Sequence, residues 1–176
     1  MSIQLTRNHV GTICLDKGTV EITDPCYTKN VWCRMEANVM PGTYNCYAYR
    51  GVDGVWGSRI WINQIVIADG DEAAYAEELA NDTFAWEEIG EIGVDAGMAG
   101  FFRDKPNFSE KEWRELCDWL CHCPPSEHNP NGIKDAYVKS FATGDGFWTE
   151  SGCGDGAYCV YALKKDGVIV ALEIRF

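Results

Sequence analysis

Positive charge is scarce in this sequence. Lys and Arg number 15 against 27 Asp and Glu, leaving a formal net charge of −12 and an isoelectric point near 4.6. Proteins that grip nucleic acid through its phosphates need the opposite balance, so direct nucleic-acid binding is not expected. Long apolar runs are also missing. No stretch approaches the ~20 residues of a membrane span. The opening "MSIQLTRNHV" lacks the apolar segment of a secretory signal. The expected location is therefore the cytoplasm, and no membrane partner is expected. Internal repeats, low-complexity tracts and linker-like stretches are absent, which points to a single α+β domain over residues 1–176. Histidine occurs only three times. The nine cysteines are an odd number in a chain without an export signal, so reduced thiols are expected rather than a disulfide framework.

Aromatic residues are plentiful, with seven Trp, eight Tyr and seven Phe, enough to fill a sizeable core. Short β-rich runs dominate. "GTICLDKGTVEITD" reads as two strands joined by a hairpin at Lys17-Gly18, and "GTYNCYAYRGVDGVWGSRIWINQIVIADG" as two longer strands turning at Asp53-Gly54. Residues 71–80, "DEAAYAEELA", read as a short helix with acidic residues in its first turn. "EEIGEIGVDAGMAGFF" reads as a strand with a bend or bulge because of its four glycines. The better-defined helix is "SEKEWRELCDWLC", residues 109–121. Ser109 and Glu112 form a capping box, and Trp113, Leu116, Cys117, Leu120 and Cys121 share one face. Pro124 and Pro125 stop it. The strand pattern returns from Asp135 and ends in a hairpin at Lys165-Asp166-Gly167. The expected fold is α+β, mainly antiparallel sheet with one well-defined and one shorter helix.

Two features carry chemistry. Cys117, Cys121, Cys123 and His128 fall within twelve positions. Two thiols one helical turn apart, a third past the helix end and an imidazole on a Pro-rich loop are a donor set for structural zinc. His122 is an alternate ligand, and Cys26 or Cys33 could replace one. The plainer reading is that thiols on an apolar helix face pack as small hydrophobes. The second feature is the interval from Arg59 to Arg103, which holds no Lys or Arg but ten carboxylates. Asp71, Glu72, Glu77, Glu78, Glu87 and Glu88 are the candidate contacts for a basic protein surface. The plainer reading there is a solvated, solubilising face.

"SGCGDGAYCVYALKKDGVIVALEIRF" resembles the closing signature of an uncharacterised domain family of bacteria and phages, in which G-D-G-x-Y leads into a β-hairpin. "LDKGTVEITDPCY" and "EIGVDAGMAGFF" look like that family's other recurring stretches. The resemblance implies a β-rich α+β fold and no reaction. By type, a small, acidic protein also resembles phage inhibitors of bacterial defence, including anti-CRISPR proteins that block Cas9-like effectors. That likeness implies a non-enzymatic binding protein whose partner is a CRISPR effector nuclease or a similar host factor. The competing expectation is an enzyme or small-molecule-binding domain built on the Gly-rich loop around Cys153 and Asp155, with His9, His122 or His128 as a base.

Overall fold

The structure is a computed structural model. It describes residues 3–27, 31–55, 57–68, 86–104, 109–122, 131–141 and 144–176, with the backbone alone at 120 and 121. The strands are β1 (Leu5–Leu15), β2 (Thr19–Thr23), β3 (Met35–Asn38), β4 (Gly42–Asp53), β5 (Gly57–Ile67), β6 (Trp86–Val94), β7 (Met98–Phe102), β8 (Ala136–Phe141), β9 (Gly144–Glu150), β10 (Gly156–Lys165) and β11 (Val168–Arg175). One helix, α1 (Glu110–His122), lies among the described residues. The strands form a six-stranded sheet in the order β1-β4-β5-β11-β10-β6 and a five-stranded sheet in the order β3-β2-β7-β9-β8. Neighbours pair antiparallel in both. The mainly antiparallel α+β class read from the sequence is the fold observed. The expected helix over 71–80 lies outside the described residues.

Alternation builds the core. Side chains on successive strand positions face opposite ways. In the six-stranded sheet Tyr44, Cys46, Ile65, Val160, Leu172 and Ile174 turn inward. In the five-stranded sheet Val20, Ile22, Phe101 and Phe147 do so, and one buried cluster joins them all. The outward neighbours on β7, β8 and β9 are Phe102, Tyr137 and Trp148, and α1 covers them with Leu116 and Trp119. Trp148 stacks on Phe102, Tyr137 and Phe141 at centroid distances of 5.8, 5.7 and 5.9 Å. Such ring pairs each add about 0.5–1.5 kcal/mol beyond area burial. Gly100 is what admits them. It lies opposite Trp148, and a Cβ there would stand 2.4 Å from the Trp148 Cβ and 2.2 Å from the Phe147 carbonyl.

Two expectations need correction. Lys17-Gly18 does form a turn, closed by Gly18 N–H on the Leu15 carbonyl, but it is not a hairpin. The strands it joins enter different sheets, because β2 finds its partners in β3 and β7. Likewise "EEIGEIGVDAGMAGFF" is not one bent strand. The turn at 95–97 carries the chain from β6 in the first sheet to β7 in the second. A bulge does occur within β6, opposite Val160–Tyr161. Sheet-to-sheet crossing follows from long-range pairing, which local alternation does not encode. The hairpins at Asp53-Gly54 and Asp166-Gly167 are as expected.

Buried polar groups tie the sheets together. Asn63 on β5 is fully buried; its amide donates to the Ala99 carbonyl at 2.8 Å and accepts from the Thr149 hydroxyl at 2.7 Å. Free edges are also capped. Along β1, Asn8 donates to the Thr6 carbonyl, Asn131 to the His9 carbonyl, and the Cys14 amide donates to Asp145. An edge whose polar groups are engaged this way resists pairing with another strand.

Candidate functional site

Of the acidic positions singled out by charge, Asp71, Glu72, Glu77 and Glu78 lie outside the described residues. Glu87 and Glu88 are exposed on β6, an edge strand of the larger sheet. Glu91 is exposed on the same strand, and Asp95 in the turn that follows it. Gly156 pairs with Val94, which brings exposed Asp155 to the end of β6. Five carboxylates therefore follow one edge over a strand of nine residues, about 30 Å. Lys164 pairs with Glu87 at 2.6 Å, and the Tyr161 hydroxyl donates to Glu88 at 3.3 Å.

Five arginines elsewhere are already matched by carboxylates. Arg34 lies 3.0 Å from both Glu21 and Glu36, Arg50 3.1 Å from Asp135, and Arg59 2.7 Å from Asp53. Arg103 lies 3.5 Å from Asp16, and Arg175 2.9 Å from Glu173. Pairing consumes positive charge locally and leaves the acidic excess to set the outer field.

The cysteine–histidine set is only partly described. Cys117 is half-buried on α1; Cys121 follows one turn later with its backbone alone described; Cys123 and His128 lie outside the described residues. Among the described residues no group of His, Cys, Asp and Glu has the geometry of a metal site. The capping box forms as expected: the Glu112 carboxylate accepts from the Ser109 amide at 2.8 Å and from its hydroxyl at 2.6 Å. Those bonds hold the Glu112 carboxyl below its usual range. The buried side of the helix is rotated from the expected face. Leu116 and Trp119 seat on the sheet, whereas Trp113 is 42% exposed. Trp119 makes the difference, because its large ring meets Trp148 and Tyr137. Cys117 sits on the flank of that contact.

The stretches "LDKGTVEITDPCY", "EIGVDAGMAGFF" and "SGCGDGAY" meet at one end of the sandwich. Asp24, fully buried, is the knot. Its carboxylate accepts from the Cys26 amide at 2.7 Å, the Asp95 amide at 3.0 Å and the Ala96 amide at 2.7 Å. The Ser151 amide donates to the Gly97 carbonyl at 2.8 Å. The hydroxyls of Ser151 and Tyr158 both donate to the Gly154 carbonyl. Gly152 passes so close to β5 that a Cβ would stand 1.9 Å from the Ile60 carbonyl. The Gly-rich loop is thus built for close approach and a tight turn. Burial, then Cys33, pushes the Tyr27 phenol well above its ordinary value, and burial likewise raises the Tyr158 phenol. Cys153 and Asp155 are exposed on this loop. Among the described residues, no hydrogen bond joins Cys153 to His9 or His122. His9 packs on Tyr47, and the His122 ring reaches the Asp118 carbonyl.

Sequence reading overlooked two things here. Asp155 reads only as part of the Gly-rich loop, and the β6–β10 pairing is what brings it to the acidic edge. Asp24 was passed over although D-P before a cysteine is a recognisable turn signal. No described helix is long and apolar enough to cross a membrane. Comparison with protein-family models, with curated proteins and with solved structures found no match.

Proposed function

We propose that the protein is a non-enzymatic binding protein whose acidic edge engages a basic surface of another protein. The supporting observation is the line of exposed carboxylates Glu87, Glu88 and Glu91 on edge strand β6, continued by Asp95 and Asp155 at its end, with Lys164 as its neighbouring cation. The partner class is a nucleic-acid-handling factor of a bacterial host, such as a CRISPR effector nuclease. Such proteins expose cationic channels that an acidic folded body can occupy in place of the nucleic acid. Zinc, held by Cys117, Cys121, Cys123 and His128, is the structural metal of this reading; a closed four-ligand site leaves no position for catalytic water.

The test is capture from a bacterial lysate carrying defence nucleases, followed by displacement of labelled nucleic acid from the captured partner. Capture should be strong at about 0.01 M salt and lost near 1 M, where the Debye length falls to about 3 Å. The labelled nucleic acid should leave as this protein binds. A partner held equally well at both salts, or one that keeps its nucleic acid, refutes the reading.

A further inference from the structure

The strands of the larger sheet outrun those of the smaller. β1, β4 and β5 have 11, 12 and 11 residues, whereas β2, β3, β7, β8 and β9 have only 4 to 7. Where the longer strands overhang, their inner face changes character. Ala48 and Ile60 belong to the apolar core. Beyond them the same face presents Thr6, Asn8, Arg50 and Ser58, with Thr6 paired to Arg50 and Ser58 to Val52. These residues line a groove of 540 Å³, within the 300–1,000 Å³ typical of small-molecule sites.

We infer that this groove binds a short, neutral oligosaccharide. Arg50 is the one charged group among the described lining residues, and Asp135 neutralises it at 3.1 Å. A second bond, from its Nη2 to the Lys134 carbonyl at 2.7 Å, fixes the guanidinium. Its Nη1 is left with two slack contacts of 3.5 Å to Ser58, at the limit of hydrogen bonding. A ligand hydroxyl offers that nitrogen a better acceptor. The Asn8 amide donates to the Thr6 and Ala48 carbonyls, which leaves its own carbonyl as an acceptor. With the hydroxyls of Thr6 and Ser58, the groove offers donors and acceptors in close alternation and no net charge, the match for a ligand rich in hydroxyls. Val52, 67% exposed at the rim, supplies apolar surface for the C–H face of a sugar ring. An anion would meet the field of a chain carrying −12 and an arginine already paired. An extended peptide would need the backbone edge of β1, where side chains already engage the Thr6 and His9 carbonyls.

The experiment is a titration of the ¹⁵N-labelled protein followed by amide shifts. The probes are neutral tetrasaccharides of glucose, mannose and N-acetylglucosamine, with inorganic phosphate and an uncharged peptide as separate arms. Each is taken to about 10 mM, where a ligand of about 1 mM Kd is nine-tenths bound. At least one saccharide should shift the amides of Thr6, Asn8, Arg50 and Ser58. Ser58→Ala should weaken it about tenfold, the worth of one good hydrogen bond. Thr6→Val, read in parallel, keeps the test usable should either variant fail to fold. No shift with any saccharide, shifts produced only by phosphate or by the peptide, or unchanged affinity in both folded variants would overturn the inference.

Discussion

Asp24→Ala removes the carboxylate that joins two separate stretches of the chain, residues 24–26 and 95–96. Its two oxygens accept three backbone amides at 2.7, 3.0 and 2.7 Å. Hydrogen bonds to a charged acceptor contribute about 1.5–3 kcal/mol each. Full loss of three would exceed that of a typical single mutation, but Asp95 and Ala96 are exposed and water can reach their amides once the carboxylate is gone. The expected net loss is therefore about 3–5 kcal/mol, a large share of the 5–15 kcal/mol that holds an ordinary domain folded. Asp24→Asn keeps one acceptor and turns an N–H₂ toward the remaining donors, so about 2 kcal/mol is expected. Urea unfolding with an unchanged slope measures both. Amide exchange at Asp95 and Ala96 should accelerate in both variants and more in the alanine one. A loss below about 1 kcal/mol in Asp24→Ala, with exchange unaltered, would refute the idea that this carboxylate fastens the end of the sandwich.

Gly100→Ala should destabilise by about 3 kcal/mol or more, because the new Cβ meets backbone and near-backbone atoms that have no room to give; chemical denaturation reads this. Glu150 has its carboxyl raised by burial and then by Asp135, so the folded state prefers its protonated form. That preference stabilises at low pH and is lost as pH rises through the folded value. Glu150→Gln should accordingly raise the melting temperature slightly near pH 7 and match the parent below about pH 4, where Glu150 is protonated in both states. Elemental analysis of protein purified without chelator should find about one zinc per chain, and Cys117→Ser should lower both the zinc content and the melting temperature. A metal-free sample whose melting curve ignores strong chelator would return Cys117 and Cys121 to plain packing.

Local chemistry was legible in the sequence where neighbours in the chain decide the outcome. The capping box at Ser109–Glu112 and the hairpin turns at Asp53-Gly54 and Asp166-Gly167 depend on a few adjacent residues, and they appear where the spacing puts them. The Lys17-Gly18 segment has the same local signature but joins two sheets, because β2 pairs with β3 and β7 rather than with β1. Trp119 shows the same limit on a helix: apolar spacing selects Trp113, yet Trp119, whose ring finds aromatic partners on the sheet, is the one partly buried there. The acidic interval was legible as composition, but its arrangement along one edge depends on β6 pairing with β10, about 70 residues away. The overhanging groove was invisible beforehand, since it arises from unequal strand lengths in two sheets.

Association kinetics of the captured partner test the central claim most directly. The measurement compares the parent with the triple variant Glu88→Lys, Glu91→Lys, Asp155→Lys across ionic strengths from about 0.01 to 1 M, where the Debye length shrinks from about 30 to 3 Å. An acidic edge that steers a basic surface predicts a parent rate that falls steeply with salt. The variant should start at least about tenfold slower at low salt and converge with the parent at high salt. Equal rates for the two proteins at every ionic strength would contradict the account.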